Sequence, residues 1–457
     1  KSVLSGDLMI PAGGFLVLMA DNEPALGATH LDFAMQRSGE LILVGPDSEV
    51  LDYLSYGRQA TDLSAARTPD GTDQWQVLWE ISPGEANPSG DGVAPQAELE
   101  AVPAAGDVSE VLLSENVVSE FDLDIPEASM QSLRDNPRVY VEAAMTYRGR
   151  RLGPIGVRLK GQNSFQPIDA KPSFRVEMDH YVLGAELFGL DDLTLNAMFS
   201  DPSMMHERLA YKVARTAGVP ASRASYAFLR VNDEVYGLYA NIEHVEARML
   251  SRWFADPTGP LFEAGDVDFV EAQIPNYEHE SGPDDRSVLY ALATALLLPW
   301  SEAVAAATMV DMDAFIRHWA VMAIIGQFDS FPYTYDDYYV YVNPVDSLIN
   351  FLPWGMDETY TTLVYWPLAV ESLLPDAFQH DDPCKQLVID ENWAQQDLNE
   401  ANNILAEFDL VQALIAPWIA LDTRRVHDDL AVAAGQTDMR SFFDNRRTHM
   451  AGEIPVP

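Results

Sequence analysis

The chain has 457 residues, 47% of them hydrophobic, which is enough for two or three domains with sizeable cores. Its 28 Lys and Arg face 71 Asp and Glu, a formal net charge of −43; so acidic a chain repels nucleic-acid phosphates and anionic membranes and attracts cations and basic proteins. Cys384 stands alone, which excludes an intrachain disulfide and a cysteine-based zinc site, and no run of 18 apolar residues predicts a transmembrane span.

Residues 1–88 read as all-β. "GFLVLMAD" (14–21) is a short apolar strand, and "GELILVGPDSEVLDYLSYG" (39–57) is a hairpin around the turn "GPDSE". The spacing of turns predicts a sandwich of short strands. Residues 89–110 are rich in Pro, Gly, Ala and acid, with few large apolar side chains, and read as a linker.

The second domain spans 111–457 and opens with strands in "VYVEAAMTYRG", "IGVRLKG" and "PSFRVEMD". A helix follows, with Ser200 or Asp201 placed to cap it and Gly218 placed to end it. "ASYAFLRVND" and "EVYGLYANIE" pair about a turn at Asp233. "DMDAFIRHWAVMAIIGQF" is a helix with Phe315 and Trp319 on one face; "YYVYVN" and "LINFLPWG" form a hairpin; the remainder is mostly helical. Carboxylates flank that hairpin: Asp329, Asp336 and Asp337 before it and Asp357 after it. A helix, a loop, a hairpin and an Asp at its exit is the logic of a phosphoryl-transfer site, in which carboxylates hold Mg²⁺ on nucleotide phosphates. The ordinary protein-kinase motifs GxGxxG, HRD and DFG are absent.

Two families are resembled. "IPAGGFLVLMAD", "LDFAMQRSGELILVGPDSEVLDYLSYG" and the closing "ISPGEAN" look like the later strands of a lamin-tail domain. The resemblance implies an immunoglobulin-like sandwich whose first strands precede Lys1, appended as a binding or spacing module. From about 111 to 452, "VRLKGQNSF", "KPSFRVEM", "LFGLDDLTLNAMFSDPSMMHERLAYKVARTAGVPASRASYAFLRVNDEVYGLYANIEHV", "DSFPYTYDDYYVY", "FLPWGMDETY" and "RRVHDDL...FFDNRRTHM" resemble the CotH family of atypical kinases. The fold class so implied is multidomain: an all-β sandwich, then an α+β two-lobed kinase-like domain. The function implied is an extracytoplasmic protein Ser/Thr kinase, bacterial and secreted or cell-surface, using ATP with Mg²⁺ or Mn²⁺; Ca²⁺ is a further cation suited to so acidic a chain.

Within that frame, Lys171 or Lys160 supplies the ammonium for α/β-phosphates, or else ends a strand in solvent; Arg175 is a substitute for either. Glu207, in the first helical turn, would pair with Lys171, or simply complement the helix dipole. Gly161, Asn163 and Ser164 in "GQNSF" would cover phosphates. Glu243 either contacts nucleotide between lobes or caps a strand. Asp329 would be the base that accepts a hydroxyl proton. Asp337 and Asp357 would be metal ligands, although the family usually has Asn at 337 and a second Asp at 355, where this chain has Gly355. Residues 355 and 357 share one face of an extended strand, so Gly355 leaves space beside Asp357. His206, His244 and His318 lack ligand spacing and read as structural. The competing function is a non-catalytic acidic surface or matrix protein that keeps the fold and binds metal or nucleotide without transfer. The protein partner is basic and bears Ser or Thr, because the chain's negative field steers Lys/Arg-rich segments.

Overall fold

The computed structural model describes residues 4, 8–34, 39–45, 50–56, 64–67, 70–71, 75–78, 82–87, 108–147, 150–299, 302, 307–361 and 367–456. The chain divides into two compact units: Lys1–Ser114 with Val182–Asp191, and Glu115–Tyr181 with Asp192–Pro457.

In the first unit β1 (Gly39–Val44) pairs antiparallel with β2 (Val50–Tyr56), as the hairpin signal predicts. β3 (Ser64–Arg67) pairs with β4 (Trp75–Leu78). Among the described residues these remain two separate two-stranded sheets. The strand expected at 14–21 does not form. Gly14 N–H closes a turn onto the Pro11 carbonyl at 2.9 Å, and only isolated bridges follow, Met19 with His30 and Asp21 with Ala34. Phe15, Val17 and Met19 stay exposed, so this apolar run gains no sheet partner. Most of the expected linker, residues 89–107, lies outside the described residues.

The second unit is α+β. Seven strands close a barrel: β5 (Val118–Asp124), β6 (Val141–Tyr147), β7 (Arg150–Lys160), β8 (Ser173–Glu177), β9 (Asp192–Asn196), β10 (Ala224–Val231) and β11 (Glu234–Glu243), in the order β10-β11-β9-β8-β7-β6-β5. Closure comes from β5 lying parallel to β10. The β10–β11 turn, Asn232 and Asp233 at φ 51° and 66°, is the two-residue left-handed turn that suits a hairpin. Asn232 also accepts from Ile125 N–H at 2.7 Å and donates to Ile125 O at 2.9 Å, tying the end of β5 to it.

Two helices belong to this part: α1 (Glu127–Asp135) and α2 (His206–Thr216). α2 starts four residues later than an Asp201 cap would place it, with Met205 at its N-cap. Asp201 nonetheless accepts the His206 and Met204 N–H groups at 2.7 and 2.9 Å, so it satisfies the helix start from outside. Gly218, at φ +78°, ends the helix as expected.

The rest of the unit begins with α3 (Ala247–Trp253). A four-stranded antiparallel sheet then contains the predicted hairpin, in the order β13-β12-β14-β15: β12 (Leu261–Ala264), β13 (Glu278–Ser281), β14 (Tyr338–Val342) and β15 (Ile349–Pro353). The short polar strand "EHES" that forms β13 carries no hydrophobic alternation, which is why the sequence hid it. After α4 (Ser287–Ala295), α5 (Met312–Ile325) is capped by Asp311, which accepts from Ala314 N–H at 3.1 Å, and stopped by Gly326 at φ +71°. Its Phe315 packs on Phe351 of β15 at 5.2 Å between ring centroids.

α6 (Leu373–Gln379), α7 (Asp382–Ala401), α8 (Ile404–Leu421) and α9 (Asp429–Glu453) complete the chain. α8 is long and apolar enough to cross a membrane by length and composition, with mean hydropathy 1.7, a feature the sequence reading passed over. Here it buries Phe408, Val411, Ile415 and Ile419 as one ridge, and its Glu407 pairs with Arg208 at 2.6 Å.

Candidate functional site

Four elements bring charge together. Lys160 ends β7, Glu207 sits in the first turn of α2, Asp337 precedes β14, and Asp357 lies in a 3₁₀ turn (Met356–Glu358) after β15. Glu207 is buried, and Lys160, Asp337 and Asp357 are half-buried. Burial, then the Asp357 charge, pushes the Glu207 carboxyl up to about 8, with Lys160 pulling the other way. Burial raises Asp357 to about 6, again against Lys160. Burial, then Asp336, Asp357 and Asp329, holds Asp337 well above the usual carboxylate range. These carboxylates feel one another and share one ammonium, an arrangement that a bound cation would relieve. Glu207 Oε2 is buried without a hydrogen-bond partner. All the donors are hard oxygens, which suits Mg²⁺, Mn²⁺ or Ca²⁺.

Lys160, not Lys171, is therefore the cation of the site; its ammonium also lies 5.4 Å from the Trp354 ring centroid. Lys171 is 1% exposed and donates to Asp422 Oδ2 at 2.6 Å and to Leu238 O at 2.7 Å. Burial lowers its pKa, and Asp422 opposes that shift. The expected Lys171–Glu207 pair is replaced by a buried brace between the barrel and the end of α8. Gly237 makes room for it: a Cβ there would fall 2.1 Å from Asp422 Cγ. Nothing in sequence spacing signals a pair 251 residues apart.

Arg175 is likewise committed, donating to Asp192 at 2.7 Å and meeting His244 Nε2 at 2.8 Å. Glu243 is wholly buried between Arg223 (2.7 Å) and Arg252. Burial raises its pKa, but the two guanidiniums outweigh that and hold the carboxyl below its usual range. It locks β11 to α3, a structural duty that removes it from nucleotide contact. Gly161, Asn163 and Ser164 form the turn that follows Lys160, Gly161 at φ +104° with its carbonyl held by Arg138. Asp329 accepts from Thr334 Oγ1 at 3.1 Å, and its charge reaches Asp337.

The turn bearing Asp357 is held from behind. His206 Nδ1 meets the Asp357 carbonyl at 2.8 Å, and its Nε2 lies 3.3 Å from Asp201 Oδ1. Gln327 donates to the Gly355 carbonyl at 2.9 Å. The space expected beside Gly355 is filled by the Asp337 carboxyl, 2.2 Å from where a Cβ at 355 would lie. Sequence reading gave His206 a structural role and missed Gln327 and Tyr211. The Tyr211 hydroxyl, one turn along α2 from Glu207, is buried without a partner and feels the charges of Glu207, Asp337 and Asp357. Its only sequence signal is the i, i+4 spacing from Glu207.

The profile of the family described as CotH kinase protein matches residues 157–417, more than half the chain. Two Bacillus subtilis (strain 168) proteins are similar. "Inner spore coat protein H-like protein" is 40% identical over 103 residues, which is 21% of this chain and 34% of that one. "Inner spore coat protein H" is 25% identical over 190 residues, 38% of this chain and 51% of that one. The chain thus spans between a third and about half the length of these relatives. A solved structure, "Crystal structure of A Helicobacter pylori proinflammatory kinase CtkA", aligns over 67% of this chain and 90% of its own, with 10% identity and a TM-score of 0.25. The matched span contains Lys160, Glu207, Asp329, Asp337 and Asp357, and the chain belongs to the CotH kinase protein family.

Proposed function

We propose that the protein is an extracytoplasmic, ATP- and divalent-metal-dependent kinase that phosphorylates Ser or Thr of basic protein substrates. The observation that carries this reading is the convergence of Glu207, Asp337 and Asp357 on Lys160, with all three carboxyl pKa values raised. Asp337 and Asp357 would hold the cation, and Lys160, oriented by Glu207, would receive the nucleotide phosphates. The bound cation supplies charge neutralisation of the phosphoryl group being transferred. Asp329, steadied by the Thr334 hydroxyl, would accept the proton of the attacking Ser or Thr. The first unit is, on this reading, a lamin-tail sandwich that binds or spaces. The spore-coat relatives favour an exposed location.

A non-catalytic role stays in view because Gly355 stands where the resemblance puts a carboxylate. The geometry favours an exchange instead: the Asp337 carboxyl occupies the space next to Gly355, so one carboxylate is supplied from the neighbouring strand end. Incubation with labelled ATP and Mg²⁺ or Mn²⁺, with and without a Lys/Arg-rich Ser/Thr peptide, tests the reading. Label on the peptide that disappears in Asp357→Asn supports it. Metal and nucleotide binding without any transferred label would replace it with the non-catalytic reading.

A further inference from the structure

Two walls of an open apolar groove hang from the loop that carries Asp329, Asp336 and Asp337. One wall is the chain leaving β12. Asp266 N–H donates to Asp336 Oδ1 at 3.2 Å and Val267 N–H to the Tyr335 carbonyl at 3.2 Å, and the groove residues Phe269, Val270 and Glu271 follow directly. The other wall is the start of α6. Glu371 N–H donates to the Tyr333 carbonyl at 3.1 Å and Ser372 N–H to the Pro332 carbonyl at 3.4 Å, just before Leu373. Asp268 joins the two: its buried carboxylate accepts Phe269 N–H at 2.7 Å on one oxygen and Leu373 N–H at 2.8 Å on the other. Tyr290 of α4 and Leu297 just beyond it close a third side. A groove braced in this way is formed before anything enters it.

The groove measures about 460 Å³. A cavity of roughly 150 Å³ already holds benzene, so there is room for an aromatic side chain and an aliphatic neighbour. Leu297 is 76% exposed, and Val270 and Tyr290 are 38% exposed each. Contiguous exposed apolar side chains rimmed by charge mark an interaction surface. The rim is acidic, because Asp266, Glu271 and Glu371 are exposed. Arg286, at the N-cap of α4, is taken by Asp284 at 2.7 Å and by the Ile274 carbonyl at 2.9 Å. That sign of charge repels an anionic membrane and a second copy of a chain at −43, and it attracts Lys and Arg.

We propose that this groove docks the protein substrate. An apolar side chain of the substrate sits between Val270, Tyr290 and Leu297, and neighbouring Lys or Arg side chains meet Asp266, Glu271 and Glu371. The inference rests on the phosphotransfer reading for calling that partner a substrate. It also fixes a spacing. From Asp266, held to Asp336, to Glu271 is at most about 17 Å of chain, which an extended peptide covers in about five residues. The apolar anchor therefore lies on the order of five to eight residues from the phosphorylated Ser or Thr.

The test uses the full chain and two fluorescein-labelled, Lys/Arg-rich peptides with one Ser. One carries Phe about six residues to each side of the Ser, and its twin carries Ala there. Anisotropy in chelator, without nucleotide, should show the Phe peptide binding more than about tenfold tighter, as burial of one large apolar side chain gives. Val270→Gln/Leu297→Gln, at exposed positions, should bring the two peptides to within about twofold with unchanged thermal unfolding. Glu271→Gln/Glu371→Gln should weaken both peptides alike and flatten their salt dependence. Equal affinity of the twins, or a preference that survives in Val270→Gln/Leu297→Gln, would overturn the proposal. So would a dimer of the parent chain that sediments as a monomer in that variant, since the groove would then be a contact between copies. With ATP and Mg²⁺ added, label on both peptides at equal rates and equal affinities would remove the groove and leave the kinase reading. A Phe preference without any label would support the groove and remove the kinase reading.

Discussion

Gly355 and Asp337 share one place in the structure: a Cβ on residue 355 would fall 2.2 Å from Asp337 Oδ2 and 2.4 Å from its Cγ. Gly355 also sits at φ +54°, in the left-handed region where a side chain costs about 1–2 kcal/mol. The absent side chain at 355 is thus a condition for the position of Asp337, and restoring a carboxylate there is not a repair. Gly355→Asp and Gly355→Ala should both lower the melting temperature and both reduce the stabilisation that Mg²⁺ or Mn²⁺ gives. A larger metal-induced shift in Gly355→Asp than in the parent chain would refute the exchange.

The two lysines should separate cleanly. Lys171→Met leaves Asp422 buried without its ammonium, and breaking a buried pair in this way costs about 3–5 kcal/mol. Lys160→Met, at a half-buried strand end, should leave unfolding by denaturant nearly unchanged and abolish nucleotide binding. Denaturant titration beside a nucleotide-binding assay checks both, and the reverse pattern would return the phosphate-binding role to Lys171.

Stability without metal should fall as pH rises. The folded pKa values of Asp357 and Glu207, about 6 and about 8, lie above their ordinary values of 3.8 and 4.5. Each group therefore stabilises the fold fully below about pH 4, where both states are protonated alike, and that contribution is lost as pH climbs through about 6 and then about 8. A divalent ion takes the place of the protons, so Mg²⁺ should flatten the slope. Melting temperatures measured in chelator and in Mg²⁺ across this range decide it; equal slopes would mean that these carboxylates hold no cation.

Asp201 should matter beyond its own helix. It accepts the His206 and Met204 N–H groups and the Ser203 hydroxyl, and it faces the imidazole that holds the Asp357 carbonyl. Asp201→Ala leaves buried donors unsatisfied, at about 1–3 kcal/mol each. It should also weaken metal binding without touching the metal. His206→Gln, which keeps one hydrogen-bonding group, should lose less affinity than His206→Ala; equal losses would mean that the imidazole does not position the Asp357 turn.

Local pattern alone carried much of this protein. The 39–57 hairpin, the β10–β11 and β14–β15 pairs, the α5 helix and the stop at Gly218 are written in apolar period and turn residues, which act over a few positions. The family phrases likewise located Asp337 and Asp357 on either side of one hairpin. Partner choice was not legible, because it is settled by chain segments far apart in sequence. Lys171 and Arg175 look as available as Lys160 until Asp422 and Asp192 claim them, and Glu243 looks like a cleft residue until Arg223 and Arg252 enclose it. The apolar run at 14–21 reads as a strand, yet it makes only isolated bridges at Met19 and Asp21, since a strand exists only through a neighbour's continuous ladder of hydrogen bonds. The Gly355 substitution looks like a loss in one dimension; only the pairing of β14 with β15, which sets Asp337 against that glycine, makes it an exchange.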